Sequence, residues 1–375
     1  MKFVLAPDSF KENMTALEAV TAMETGIHDV YPDAGCVRVP MSDGGEGFIE
    51  AVATAWGARR ITVVNMDALG RPIQSEYALA DGRAVLDVAS CAGIELVAPH
   101  ERNVAKSNTA GLGMIIRDAL SRGARELLIG IGGSATNDAG IGMLVELGAR
   151  LLDADGAELA PKLENLDQVA SVDTSALDAL LDGLSVKVAC DVTNPLNGPE
   201  GATAVFGPQK GVQPEQVEYF DSLHLHFATA SGHGDDALLP GSGAAGGLGF
   251  ALRAFLHAEL TPGINLVADA VGLADAVQGA DWVFTGEGSV DSQTINGKTP
   301  AGVTAVARAA GVPVMIFAGR IKEGAEILLE HGVSKIVKVG DPAESLEEAL
   351  KNGQKNLRAA VVSALKAQHI GLRGR

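Results

Sequence analysis

The sequence predicts an α/β protein in which a doubly wound parallel-sheet domain is interrupted by a second, mixed α/β domain. Two observations carry this. Short apolar runs alternate with helical periods at both ends of the chain, which is the pattern of parallel βα units. Between them, residues 60–97 change texture: ITVVNM, SEYALA and AVLDVA are short β-type segments broken by turns, and Asp81-Gly82 is a hairpin signal. The expected division is residues 1–58 with 283–375 as one domain and 59–282 as the insertion.

The elements follow in chain order. Phe3–Ala6 reads as a strand ended by Pro7, with Asp8, Ser9 and Lys11 in the turn behind it. Thr15-x-x-Glu18 is a capping box, opening a helix with Leu17, Val20, Met23 and Ile27 on one side. Cys36–Pro40 is a second strand, followed by the glycine turn MSDGGEG, in which Asp43 and Glu46 flank two glycines. A helix over residues 109–122 feeds the strand Leu127–Ile131. That strand runs through Gly132, Gly133 and Ser134 into Thr136, Asn137 and Asp138 before a helical period resumes at Ile141. A strand that passes through glycines into a helix start gathers backbone N–H groups on one spot, which suits an anion. Residues 151–184 read as acidic, helical or looped, and peripheral. Val186–Ala189 is a strand, followed by the long aperiodic stretch Cys190–Gly211 with Asp191, Thr193, Asn194 and Lys210. A loop of that length more often carries function than not.

Towards the C-terminus, Asp281–Phe284 reads as a strand ending in the turn Thr285–Gly288, with Gly286 and Glu287, and Asp291 follows. Lys298 stands before Pro300 and a helix. A cation at a helix start opposes the helix dipole, so an anionic partner explains it better than helix stability does. Two more strands, Val312–Ala318 and Lys335–Val339, and a last helix from about Ser345 to Ala367 complete the pattern, with a basic tail from Gly371.

Composition excludes several classes. The chain of 375 residues has 47 acidic and 29 basic residues, a formal net charge of −18. That balance argues against a nucleic-acid or anionic-membrane surface, each of which needs positive fields. No stretch approaches a transmembrane span and the first apolar run is too short for a signal peptide. Three well-separated cysteines, Cys36, Cys91 and Cys190, without CxxC spacing read as reduced thiols of a cytoplasmic protein. The histidines form no HExxH-like pair, and His224 and His226 point different ways on one helix. GSGAAGGLG at 241–249 contains GxGxxG, but no strand precedes it, so a dinucleotide site is not expected there. A Walker A loop ending at Lys298 is rejected because Ser292 stands where its first glycine is required.

The polar clusters mostly follow strands. Carboxylates, two or three lysines and glycine turns together are the inventory for a Mg²⁺-nucleotide and a small hydroxyl substrate. Carboxylates supply the oxygen ligands Mg²⁺ demands, while lysines and backbone N–H groups neutralise phosphate.

At this point PDSFK (7–11), SDGGEG (42–47), IGGSATND (131–138), NPLNGPEGA (194–202), FGPQKG (206–211), GAAGGLG (243–249) and TGEGSVDSQT with the following GK (285–298) resemble the type I glycerate kinases. The resemblance implies a flavodoxin-like α/β domain plus a mixed α/β domain. It also implies an enzyme that uses ATP and Mg²⁺ to phosphorylate D-glycerate, with 2-phosphoglycerate as product in the bacterial members. Two positions depart from the family: Asn13, where a small residue is frequent, and Ala139, where glycine is usual.

The expected roles are as follows. Asp191 is the general base; Lys11 and Lys298 contact the phosphates. Asp8, Ser9, Ser134, Thr136, Asn137 and Asn194 bind substrate. Gly132, Gly133, Lys210, Gly286, Glu287 and Asp291 bind nucleotide, and Asp43, Glu46 and Asp138 hold the metal. Arg71 and Arg320 are carboxylate-clamp candidates by their bidentate geometry, against a prior that favours surface arginines. Small molecules are the expected partners, in a monomer or homodimer. Within the kinase class, a 3-phosphoglycerate product or another small hydroxy acid as substrate is the alternative; a dinucleotide-dependent oxidoreductase of small hydroxy acids and a non-catalytic binding protein are the competing classes. Neither predicts ATP turnover.

Overall fold

The structure is a computed structural model that describes residues 1–295, 297–340 and 344–367. The basic tail expected from Gly371 lies outside the described residues. The chain divides into two compact units, Met1–Gly57 with Gly263–Arg375, and Ala58–Pro262. The return into the first unit thus comes about twenty residues before the expected 283. The helices Gly263–Ala270 and Leu273–Ala276 belong to the first unit, where Gly263 lies against the Asp43 carbonyl so closely that a Cβ would meet it at 1.9 Å.

The first unit is built on a five-stranded parallel sheet. Its spatial order is Val333–Lys338, Val314–Ile321, Trp282–Val290, Lys2–Leu5 and Gly35–Arg38. Side chains alternate across each strand. Phe3, Leu5, Phe284, Met315 and Phe317 therefore share one face, which is closed by Val20, Met23 and Ile27 of the helix Ala16–His28 and by Leu357, Val361 and Leu365 of the helix Gly353–Ala367. These two helices cross closely because Gly26 has no side chain; a Cβ there would meet the Arg358 carbonyl at 2.8 Å. The helix Thr299–Ala309 packs on the strands Trp282–Val290 and Val314–Ile321. The Thr15–Glu18 capping box is present: Glu18 N donates to Thr15 Oγ1 at 3.2 Å and Thr15 N to Glu18 Oε2 at 2.9 Å.

Two expectations change here. The strand expected to end at Phe284 continues to Val290, so Gly286 and Glu287 lie in the sheet opposite Phe317 and Ala318. The last helix is two helices, Leu346–Lys351, with its own Ser345–Glu348 capping box, and Gly353–Ala367. Asn13 lies over Gly353 and donates to the Ala349 carbonyl at 3.3 Å, joining the loop after Asp8 to this break.

The second unit carries a six-stranded mixed sheet in the order Glu259–Thr261, Ser185–Ala189, Glu126–Gly130, Arg83–Asp87, Pro72–Ala80 and Arg59–Met66. The first four strands are parallel and the last two antiparallel. Asp81 and Gly82 both adopt positive φ, 49° and 75°, as a two-residue hairpin turn requires. The stretch expected to be helical or looped, 151–184, also holds a small antiparallel sheet of Glu158–Leu159, Arg150–Leu152 and Ser171–Asp173. Strands of two or three residues are too short to show a period, which is why the sequence did not reveal them. The GSGAAGGLG segment opens the helix Ala244–Leu256 through a left-handed turn at Ala245, Gly246 and Gly247.

Candidate active site

In the first unit the turns after the parallel strands converge on a cavity of ≈ 520 Å³, within the range of small-molecule sites. The strand Lys2–Leu5 delivers Asp8, Ser9 and Lys11. The segment after Gly35–Arg38 delivers Asp43 and Glu46, Trp282–Val290 delivers Glu287, and Lys298 stands at the start of the helix Thr299–Ala309. Arg320 and Lys322 come from the end of Val314–Ile321, and Phe10, Val339, Leu346 and Leu350 add an apolar part. Ligand groups at the carboxyl ends of strands are the rule for open parallel sheets.

The charges are of both signs and poorly neutralised. The Asp8 carboxyl is 8% exposed and accepts from Ser9 N at 2.6 Å and from Thr299 Oγ1. Burial pushes it up to about 7, helped by the negative charges of Asp43 and Glu287 and opposed by the two hydrogen bonds. Glu287 is likewise pushed up to about 6 by burial and by Asp43 and Asp291, although the Lys298 cation and the Thr294 hydroxyl stabilise its anion. Lys298 Nζ lies 3.8 Å from Glu287 Oε1 and 3.9 Å from Asp291 Oδ1, and Lys322 Nζ lies 3.5 Å from Asp291 Oδ2. Asp291 and Glu287 thus partly explain a cation at a helix start. The oxygen donors suit Mg²⁺, which typically takes one or two carboxylates together with substrate phosphates. Among the described residues, Asp8, Asp43 and Glu287 do not bring three oxygens within 4.8 Å of one another, so they fit a shared ion rather than an all-protein cage.

In the second unit the loop after Glu126–Gly130 places Gly132 and Gly133 at the surface and buries Ser134, Thr136, Asn137 and Asp138. Lys210, 2% exposed, donates to Ser134 Oγ at 2.9 Å and to the Thr136 carbonyl at 2.7 Å. Burial lowers its ammonium to about 7, against the attraction of Asp138. Asn137 Nδ2 donates to Thr203 Oγ1 at 2.9 Å. His224 Nε2 lies 2.8 Å from the Asn137 carbonyl, and burial pushes the imidazole down to about 4, so it is neutral at physiological pH. Thr136 Oγ1, Asn137 Oδ1 and His224 Nδ1 are buried without a hydrogen-bond partner, a density of unmet polar atoms that native interiors avoid. Asp191 is exposed just beyond the strand Ser185–Ala189, and Asn194 Nδ2 donates to the Glu200 carbonyl at 2.7 Å.

Three expected roles are corrected by this geometry. Asp138 is fully buried and accepts from Thr109 N, Thr109 Oγ1, Gly140 N and Gly142 N at 2.9–3.1 Å. Its oxygens, three bonds on Oδ2 and one on Oδ1, cap the helix Ile141–Glu146 and the Thr109 turn, and with no exposed surface the carboxylate is committed to its own loop rather than open to a metal. Gly286 is a packing glycine, because a Cβ there would meet the Phe317 carbonyl at 2.2 Å, and it does not line the cavity. Arg71 clamps carboxylates of its own chain, Asp67 at 2.5 Å and Glu101 at 3.1 Å. The reading of residue types missed Thr299, which holds Asp8, and Lys322, which directly follows the end of the strand Val314–Ile321.

The glycerate kinase family model matches residues 3–368. The chain is 44% identical over 360 residues to a glycerate kinase of Bacillus subtilis (strain 168), covering 94% of each chain. It is 40% identical over 379 residues to the glycerate 2-kinase of Escherichia coli (strain K12), covering 100% of this chain and 99% of that one. A crystal structure from Salmonella typhimurium LT2, provisionally named glycerate kinase 2, superposes with a TM-score of 0.89 at 42% identity over the full length of both chains.

Proposed function

The chain belongs to the glycerate kinase family, and from that premise we propose that it transfers the γ-phosphoryl group of ATP to the 2-hydroxyl of D-glycerate, giving 2-phospho-D-glycerate and ADP. The observation that carries the reading is the first-unit cavity. There Lys11, Lys298 and Lys322 stand beside Asp8, Asp43 and Glu287; burial first, and the repulsion of neighbouring carboxylates second, holds Asp8 and Glu287 above the ordinary carboxylate range. Excess negative charge of this kind is relieved by a divalent cation, and the lysines suit phosphate oxygens. Mg²⁺, held by Asp43 with Asp8, Glu46 or Glu287, would neutralise charge on the phosphates when bound.

The remaining roles belong to the chain itself. Lys11 and Lys298 steady the transferring group, with Ser9, Glu287 and Asp291 beside them. The loop bearing Gly132, Gly133, Ser134, Thr136 and Asn137, propped by Lys210 from beneath, offers backbone and side-chain donors. Asp191 takes the hydroxyl proton and Asn194 orients the substrate. A second reading of the proton acceptor is Asp8, favoured by its titration near neutrality, where a general base is most effective. We also read the first unit as flavodoxin-like, because its strands taken in chain order lie 2-1-3-4-5. Among the described residues no helix is long and apolar enough to cross a membrane, which agrees with a cytoplasmic enzyme acting on small molecules.

The test is ATP turnover with D-glycerate and Mg²⁺, with the product resolved by phosphorus NMR and with Asp191→Asn and Asp8→Asn run alongside. Glycerate-dependent 2-phosphoglycerate formation supports the reading, and the variant whose pH–rate profile loses its acidic limb identifies the base. A 3-phosphoglycerate product would overturn the regiochemistry and keep the kinase. No ATP consumption would leave a binding protein of the same fold.

A further inference from the structure

We propose that Glu24, His28 and Cys36 form a second cation site, for one borderline-soft divalent ion of the Zn²⁺ type. Glu24 and His28 stand one turn apart on the helix Ala16–His28, on the same face, as residues four apart must. Cys36 comes from the strand Gly35–Arg38. One ligand atom of each lies within 4.8 Å of the other two, and Cys36 Sγ is 3.9 Å from His28 Nε2. Donors bound to Zn²⁺ at about 2.0–2.3 Å in a tetrahedron are roughly 3.3–3.8 Å apart. The three groups therefore need to close by at most about 1.5 Å.

The ligands sit on held backbone rather than on loops. His28 ends a helix whose inner face is buried against the sheet, and Cys36 is paired in register with Phe3. Glu24 and Cys36 are half-buried, while His28 is exposed, which leaves room for a water or exogenous fourth ligand. The existing contacts are compatible with occupancy. The Arg38 guanidinium pairs with one oxygen of Glu24 and leaves the other. His28 Nε2 faces the Ala34 carbonyl at 3.1 Å, a bond that metal coordination would replace.

The donor set decides the ion. One thiolate, one imidazole and one carboxylate select Zn²⁺ and its analogue Co²⁺, whereas Mg²⁺ takes oxygen ligands and retains water. The site is thus chemically separate from the all-oxygen carboxylates of the cavity. An ion here ties the end of the helix to the edge strand of the sheet, so its binding adds to the stability of this unit by mass action.

The experiment uses the reduced, chelator-treated full chain titrated with Co²⁺ in excess Mg²⁺, read by absorption and by thermal melting. We expect one Co²⁺ per chain with a thiolate-to-cobalt charge-transfer band. Zn²⁺ should displace it, and Zn²⁺ should raise the melting temperature by several degrees. Cys36→Ser should abolish the band, and His28→Gln, at an exposed position where the fold tolerates change, should weaken Co²⁺ binding at least tenfold. A band that survives in Cys36→Ser would place the ion on another cysteine and overturn the site. So would the absence of a band in the wild type, or unchanged affinity in His28→Gln. Binding is read without turnover, so it stands or falls independently of the kinase reading.

Discussion

Lys210→Met tests the electrostatic account of the second unit. The wild-type ammonium is 2% exposed, its hydrogen bonds go to a hydroxyl and a carbonyl, and burial lowers it from 10.5 to about 7. The unfolded chain keeps its proton up to about pH 10.5, whereas the folded chain releases it near 7. Between those values the unfolded state binds more protons, so stability rises with pH at up to about 1.4 kcal/mol per pH unit. Below pH 7 both states are charged and the full cost of the buried cation is present; above 10.5 both are neutral and the cost is gone. Methionine does not titrate and fills a similar volume. The stability of the wild type minus that of Lys210→Met should therefore increase by about 2 kcal/mol from pH 7.5 to pH 9. Denaturant unfolding of both proteins, followed by circular dichroism at several pH values, measures this difference, and the other titrating groups cancel in it. A difference that is flat with pH would refute the reasoning, because Lys210 would then titrate as an exposed lysine does.

Asp8→Asn should show the mirror behaviour. The wild-type carboxyl, raised from 3.8 to about 7, makes the folded state bind more protons in that window, so stability falls as pH rises through it. The variant's relative stability should grow by about 2 kcal/mol between pH 4.5 and 6 in the same unfolding measurement, while ATP turnover drops. Lys298→Ala should cut kcat/KM by about 10²–10³-fold with little change in melting temperature, since its side chain is 35% exposed and its ion pairs are 3.8 and 3.9 Å long; equal losses of activity and stability would argue for a structural lysine. Gly246→Ala and Gly156→Ala both place alanine at positive φ, 70° and 80°, but only the first drives a Cβ to 2.1 Å from the Thr136 carbonyl. Gly156→Ala should cost about 1 kcal/mol and leave turnover intact, whereas Gly246→Ala should cost several times more and impair turnover by displacing the Thr136 loop. Ala139→Gly should be neutral or stabilise by up to about 1 kcal/mol, because Ala139 holds φ at 51° where glycine is free of strain.

Local signals were legible wherever the physics is local. The Thr15–Glu18 capping box, the Asp81-Gly82 turn and the buried strand at Leu127 each depend on neighbours a few residues away, and each is where the residues place it. The alternation of apolar runs with helical periods likewise marked a mixed α/β chain with parallel sheets. The glycine at the usual position of Ala139 makes sense only with its φ in hand, yet the departure itself was visible in the sequence.

What tertiary structure decided depends on contacts between distant residues. Asp138 and Asp8 are both carboxylates behind strands, and no spacing rule separates them. Burial with four donors makes one a cap, while burial beside two other carboxylates leaves the other near neutrality. The early return of the chain at Gly263 is set by close approach to Asp43, more than two hundred residues earlier. Lys322 reaches the cavity because the strand before it ends at Ile321, three residues beyond the Ala318 that its composition suggests. Glu24, His28 and Cys36 meet only because the helix end folds back beside the edge strand. Residue types and turn chemistry were set by the sequence alone; desolvation and charge proximity, which determine what each side chain can do, exist only once the chain is folded.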